Sequence, residues 1–189
     1  MIKRIVNSDV FKMVTALAAV GVISAVLLVF VYNYSIPKIN ENVNKATQEG
    51  IRNIFPEADK VDQTSMDGVY EVKDKSGKDL GYAFTAVGNG YQGPIQLIAG
   101  VNPDMTTMTG MEVLESQETP GLGAEIAGDF SKQFSGLSIT NDIEYIKNKK
   151  PEEPNQVEAI TGATISSRAV VNILNQRVQE LRGQIKGQN

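Results

Sequence analysis

Residues 160–174 read ITGATISSRAVVNIL, a glycine among hydroxyl side chains running straight into an apolar pattern of helical spacing. Val170, Ile173, Leu174, Val178 and Leu181 form one stripe, which predicts a helix of roughly Ile165 to Arg182 packed on the rest of the fold. Its N-terminus then falls at Thr164 to Ser167, where unpaired backbone N–H groups and the positive end of the helix dipole suit an anion such as a phosphate. Gly162 permits a positive φ or the close approach of a ligand to the backbone. The same hydroxyls also fit a plain N-cap, and the local pattern leaves both readings open.

A second stretch, ESQETPGLGAEI from Glu115 to Ile126, places Pro120 and Gly121 at the centre of a type II turn. Gly121 and Gly123 flank Leu122, so accessible N–H groups surround one apolar side chain that could meet a flat aromatic ligand. A simple turn into the next helix is the alternative. GNGYQG, at Gly88 to Gly93, is weaker, because no helix pattern follows it as a nucleotide-binding loop of the Rossmann or P-loop kind would require. The 22 Asp and Glu residues read mainly as solvated surface, and no hydrolytic pair stands out among them.

The chain has neither Cys nor His. Disulfides, iron–sulfur clusters, thiolate or imidazole zinc sites, haem on those ligands, and Ser-His or Cys-His catalysis all need residues that are missing. Redox chemistry here would have to ride on an organic cofactor. No acidic loop has the spacing of an EF-hand, and neither a metal site nor a catalytic residue is assigned. A net charge of -4 argues against nucleic acid as a partner, since phosphate backbones call for clustered Lys and Arg.

Well ahead of these stretches, the chain begins with a short tail, 1–12. It is followed by an uncharged apolar run, MVTALAAVGVISAVLLVFVYNYSIP, long enough for a transmembrane helix over 13–36. Tyr32 and Tyr34 fall at its far end, where aromatic rings favour the interface. A signal peptide would have a shorter apolar core and a small-residue cleavage site. Lys3, Arg4 and Lys12 on one side nearly balance Lys38, Lys45 and Arg52 on the other. The short basic tail and long following domain give the expectation of an inside N-terminus and an extracytoplasmic soluble part.

Pro37 can end or kink that helix, and Ile39, Val43, Thr47, Ile51 and Ile54 predict an amphipathic juxtamembrane helix over 37–56 that packs on the domain. From Val69 to Ser116 four β-rich runs, VYEV, LGYAFTAVG, PIQLIAGVN and MTGMEVLES, alternate with the turn segments DKSGKD, GNGYQG and NPDMTT, which predicts an antiparallel meander. A helix, AEIAGDFSKQF, is expected next, then an irregular segment with Ile143, Tyr145 and Ile146, the polar stretch KNKKPEEPNQ, and VEAI. The fold class is α+β: one transmembrane helix, then a mixed domain over 57–183 with an antiparallel-rich sheet and flanking helices, and a flexible tail at 184–189.

An N-terminal span, GYQGPIQLIAGVN, ETPGLGAEI and TGAT opening the last helix, in that order, closely resemble the G subunit of the Rnf electron-transport complex. The related C subunit of the sodium-translocating NADH:quinone reductase shares the same FMN-binding domain and is typically longer. The resemblance covers nearly the whole chain, and ETPGLG together with TGAT is highly specific. It implies that Thr164, the last residue of TGAT, carries FMN as a phosphoester to its hydroxyl. It further implies a flavin site walled by Glu118, Thr119, Gly121, Leu122, Gly123, Gly162, Ala163, Ser166 and Ser167. The family pattern has Asp three residues before the first Thr or Ser of the motif; Glu158 stands there, a carboxylate on a longer stem.

A Thr hydroxyl is a poor nucleophile without a base, so attachment calls for a separate enzyme. The resemblance supplies one, a flavin transferase that uses FAD and magnesium. In the family, electrons pass between reduced ferredoxin and NAD⁺ and drive sodium or proton transport across the membrane. The expected role is thus one flavin-bearing relay in a multi-subunit membrane complex, without full turnover alone. Two other readings stay open: a non-redox extracytoplasmic binding or scaffold module, and an FMN-bearing component of another membrane reductase.

Overall fold

The computed structural model describes residues 9–186. They divide into an N-terminal unit up to Asn44 and a folded unit from Lys45 onward.

Helix α1, Asp9–Ile54, runs through both units. It is long and apolar enough to cross a membrane, and that apolar stretch is unburied. The helix does not end at Pro37, which lies inside it; a single proline removes one backbone hydrogen bond, a cost that a long helix can absorb. The separate segments expected over 13–36 and 37–56 are therefore one element. The expected tail at 1–12 falls largely outside the described residues.

The folded unit is built on a five-stranded antiparallel meander in the order β1-β2-β3-β4-β5. Its strands are β1 Lys60–Gln63, β2 Val69–Lys73, β3 Asp79–Asn89, β4 Pro94–Val101 and β5 Met108–Ser116. Side chains alternate across the sheet, so each face carries its own core. Ile51 and Phe55, at the end of α1 and just beyond it, cover Val72, Ala83 and Ile98 on one face. Close approach is possible because Gly50 has no Cβ, which would come within 2.6 Å of Ile98 Cγ2.

The other face carries the larger core, with Phe84, Ala86, Ile95, Leu97 and Met108 from the sheet. The last helix, α3 Thr164–Lys186, lays the predicted stripe of Val170, Ile173, Leu174, Val178 and Leu181 on it, each buried. Full burial of such a side chain is worth about 1.5–3 kcal/mol. Arg177 fastens α3 to the sheet by donating from Nε to the Thr85 carbonyl (3.1 Å) and from Nη2 to the Asp67 carbonyl (2.6 Å). Helix α3 begins one residue before its expected start and extends through Lys186, into the segment expected as tail; residues 187–189 lie outside the described part.

Three further differences from expectation have local causes. AEIAGDFSKQF is not one helix: a 3₁₀ segment, Gly123–Ala127, and a short helix, α2 Asp129–Lys132, are separated by Gly128 at φ −92°, ψ −131°. The segment around Tyr145 and the VEAI run form a parallel pair, β6 Glu144–Ile146 with β7 Gln156–Glu158. Gln133 completes β7 by bonding both backbone groups of Glu158, accepting from its N–H (2.7 Å) and donating to its carbonyl (3.1 Å). Finally, β1 is a strand that the sequence pattern does not announce.

Candidate functional site

The two stretches with chemical potential meet at one end of the sheet. There the β3–β4 hairpin turns through residues 90–93, closed by Gly90 N–H to the Gly93 carbonyl (2.8 Å), and β4 pairs Ile95 with Ser116 at the end of β5. Directly after β5 comes the ETPGLG loop. The Leu122 N–H donates to the Thr119 carbonyl (3.2 Å) and Gly121 has φ +74°, the geometry of the expected type II turn.

On the opposite side β7 delivers the chain into TGAT. Gly162 has φ +83°, and a Cβ there would lie 3.3 Å from Leu122 Cδ2, so the two loops touch. The first intrahelical bond of α3 runs from the Ser167 N–H to the Ala163 carbonyl (3.0 Å). The N–H groups of Thr164, Ile165 and Ser166 therefore precede any acceptor within the helix. Ser167 is fully buried and occupied by its own loop: its Oγ accepts from the Ile160 N–H (3.0 Å) and donates to the Ala163 carbonyl (3.1 Å).

Glu118 ties the three segments together and is only 6% exposed. Its Oε1 accepts from the N–H groups of Tyr91 (2.6 Å) and Gln92 (3.0 Å), and its Oε2 accepts from the Ser166 hydroxyl (2.5 Å). Burial pushes this carboxyl up, but the Ser166 hydroxyl and the N–H groups of Gln92, Tyr91 and Gly93 outweigh it and hold the group below its ordinary value.

Of the residues expected at the site, Thr164 is half-buried at the first position of α3, and Thr119 is likewise half-buried; Gly121, Leu122 and Gly162 are exposed. Glu118, Gly123, Ala163, Ser166 and Ser167 are buried behind them. The carboxylate oxygens of Glu118 and the Ser167 hydroxyl thus face protein partners.

Sequence reasoning singled out Leu122 but missed the rest of the apolar rim. Outside α1, the large apolar side chains that stand exposed among the described residues are Val87, Tyr91, Leu122 and Ile165. All four belong to the segments that Glu118 and Gly162 bring together or to the strand and helix adjoining them. Val87 and Ile165 line a groove of about 280 Å³ with Gly90, Arg168, Ala169 and Asn172. Arg168, exposed and one helical turn after Thr164, shares its side of α3. A hydroxyl at a helix N-terminus, an arginine one turn on and exposed apolar side chains on the adjoining segments fit a ligand that joins a phosphate to a flat aromatic body.

An FMN-binding domain is what this part of the chain matches: the model of that family covers residues 90–179, the stretch that includes the hairpin, Glu118 and Thr164. Over 94% of its length the chain is 33% identical to the G subunit of the ion-translocating oxidoreductase complex of Methanosarcina acetivorans, covering 97% of that protein. It is also 37% identical, over 55% of its length and 50% of the relative's, to the G subunit of the Na(+)-translocating ferredoxin:NAD(+) oxidoreductase complex of Acetobacterium woodii. The chain belongs to the family of G subunits of ion-translocating oxidoreductase complexes.

Among solved structures, the fold is similar to NqrC of Shewanella oneidensis (TM-score 0.54, 23% identity, 64% of this chain and 65% of that one). It is also similar to the C subunit of the Na(+)-translocating NADH-quinone reductase of Parabacteroides distasonis (TM-score 0.51, 30% identity, 57% of each chain).

Proposed function

We propose that this chain is a membrane-anchored electron-transfer subunit of a ferredoxin:NAD⁺ oxidoreductase complex of the Rnf kind and that Thr164 carries FMN covalently. The observation that carries this reading is the position of Thr164: half-buried, first in a 23-residue helix, next to the exposed Ile165 and two residues after Gly162, which Leu122 approaches.

Attachment would form a bond between Thr164 Oγ1 and the flavin-side phosphorus of FAD as the pyrophosphate bridge breaks, with AMP leaving and the hydroxyl proton released. With no His or Cys in the chain to take that proton, a flavin transferase working with magnesium supplies the activation. The resulting phosphodiester keeps one negative charge. The N–H groups at the start of α3 and the positive end of its dipole stabilise that charge, and Arg168 offsets it. Leu122 and Ile165, with Val87 and Tyr91, supply the apolar surface for the ring system, and Thr119, Gly121 and Gly162 shape its edge. FMN supplies the electron relay that no side chain here can provide.

Helix α1 anchors the domain in the membrane, with the folded unit on the extracytoplasmic side. Anchoring replaces a diffusive search for redox partners with encounter at high effective concentration. The Rnf G subunit is favoured over the C subunit of the sodium-translocating NADH:quinone reductase because the match to the Methanosarcina protein runs nearly end to end. The match to the C subunit of the Haemophilus ducreyi reductase covers half of that protein.

The full chain co-expressed with a flavin transferase should give a fluorescent band on a denaturing gel. Thr164→Val keeps the β-branched shape and should abolish the band while the protein stays folded. A colourless, folded wild type under these conditions would return the chain to the reading of a non-redox binding or scaffold module.

A further inference from the structure

Glu118 is buried, and neither of its carboxylate oxygens is spent on solvent. One holds the 90–93 hairpin through two N–H groups, and the other holds the first turn of α3 through Ser166, two residues past Thr164. The surroundings are shaped to admit it. A Cβ at Gly90 would come within 2.2 Å of Glu118 Oε1, and a Cβ at Gly123 within 2.6 Å of Oε2 and 3.0 Å of Ser166 Oγ. Two glycines separated by more than 30 residues in sequence thus leave room for the same carboxylate.

We infer that Glu118 is the positioning residue of the attachment site, fixing Thr164 against the hairpin and the ETPGLG loop by a three-way hydrogen-bond clasp without touching the flavin. The link is mechanical. Thr164 and Ser166 share one helical turn, so holding the Ser166 hydroxyl fixes where the Thr164 hydroxyl sits relative to Tyr91 and Leu122. A short hydroxyl-to-carboxylate bond is among the stronger neutral-to-charged pairs, and two N–H donors on the second oxygen leave the carboxylate little freedom to turn. Reaction of a weak nucleophile is sensitive to placement, and a displacement of about 1 Å can slow a step by up to roughly a hundredfold.

Because an amide has both an acceptor and a donor for the same partners, Gln can replace the acid in the clasp. In Glu118→Gln the amide oxygen can accept from Tyr91 and Gln92, while the amide nitrogen donates to a Ser166 hydroxyl turned to accept. Glu118→Ala loses all three bonds, and Ser166→Ala loses only the one to the helix.

This inference rests on Thr164 being the flavin carrier, and its test separates the two. The full-length chain, expressed without flavin transferase and purified in detergent, would be incubated with that enzyme, FAD and magnesium. The fluorescent band would be followed in time, with circular dichroism confirming the fold. Ser166→Ala is expected to label about tenfold more slowly at saturating chain concentration, with the half-saturating concentration little changed. Glu118→Ala should be slower still, and Glu118→Gln should restore most of the wild-type rate. A folded Ser166→Ala that labels at the wild-type rate would overturn the inference even if Glu118→Ala fails to fold. So would a Glu118→Gln as slow as Glu118→Ala, which would make the charge the active feature. Absence of labelling in the wild type would instead remove the flavin reading itself.

Discussion

Leu122 rests against Gly162: a Cβ on that glycine would sit 3.3 Å from Leu122 Cδ2. The contact joins ETPGLG to TGAT, and Gly162 holds its place with φ +83°. Gly162→Ala should therefore cost about 1–2 kcal/mol, from a left-handed backbone that Ala resists and from the crowded leucine. Because the loop leads directly to Thr164, labelling by the flavin transferase should fall as well. Urea unfolding and the fluorescent gel band measure the two effects on the same preparations.

Leu122 itself should show the opposite balance. It is 48% exposed, so Leu122→Ala is expected to change stability by less than about 1 kcal/mol. If it forms part of the flavin wall, the variant should still label at Thr164, but the attached flavin should be more open to solvent. Quenching of its fluorescence by iodide should become more efficient, and unchanged quenching would place the ring elsewhere.

Ser167 tests the start of α3. Its hydroxyl both accepts from the Ile160 N–H and donates to the Ala163 carbonyl, and it is inaccessible to solvent. Ser167→Ala leaves that part-buried N–H without its acceptor and should cost about 1 kcal/mol or more in urea unfolding. A near-neutral result would mean that the loop before α3 rearranges freely.

Acid should weaken the clasp at Glu118 by neutralising its carboxylate. Its burial raises the carboxyl's pKa, and the donors from Ser166, Gln92, Tyr91 and Gly93 lower it by more, for a net depression below 4.5. A carboxylate depressed in the folded state contributes stability that is fully present above the ordinary value and is lost as pH falls through the folded one. The wild type should thus lose stability faster than Glu118→Gln as pH drops below about 4.5. Asp74, held down by the Ser76 hydroxyl, and Asp129, held down by Lys132, titrate alike in both proteins and cancel in the comparison. Melting temperatures of the two proteins in a series of acidic buffers provide the check.

Much of the fold is legible in the sequence because local rules agree with the tertiary result. Strands β2 to β5 are runs rich in β-forming residues, separated by turn residues that the structure uses. Asp74 Oδ1, for example, accepts from the N–H groups of Ser76 and Lys78, a local bond available to the isolated segment. The stripe on α3 is equally local. Strand β1 is hidden because KVDQ is four residues long and owes its pairing to β2. Strands β6 and β7 have three residues each and find one another across a polar stretch. The expected helix after ETPGLG fails at Gly128, where helical periodicity in the surrounding residues outweighs one glycine in the sequence pattern but not in the fold.

The site divides in the same way. Gly162 and the ETPGLG turn are marked by their turn chemistry, Thr164 is singled out only by the family resemblance that TGAT carries, and the absence of Cys and His leaves redox chemistry to a cofactor. The structural part of Glu118 is not marked, since its donors come from 26, 27 and 48 residues away and no periodicity encodes such pairings. Most of the apolar rim is invisible for a related reason. Val87, Tyr91 and Ile165 look like ordinary core candidates until the fold leaves them outside, whereas Leu122 is marked by its flanking glycines.

Covalent attachment at Thr164 can be read from the intact mass of the natively expressed protein, followed by mapping of the modified peptide. The chain should be heavier than its sequence by one FMN less one water, with the increment on the peptide that contains Thr164. A chain that carries the unmodified mass when its flavin transferase is present, or an increment on another residue, would contradict attachment there.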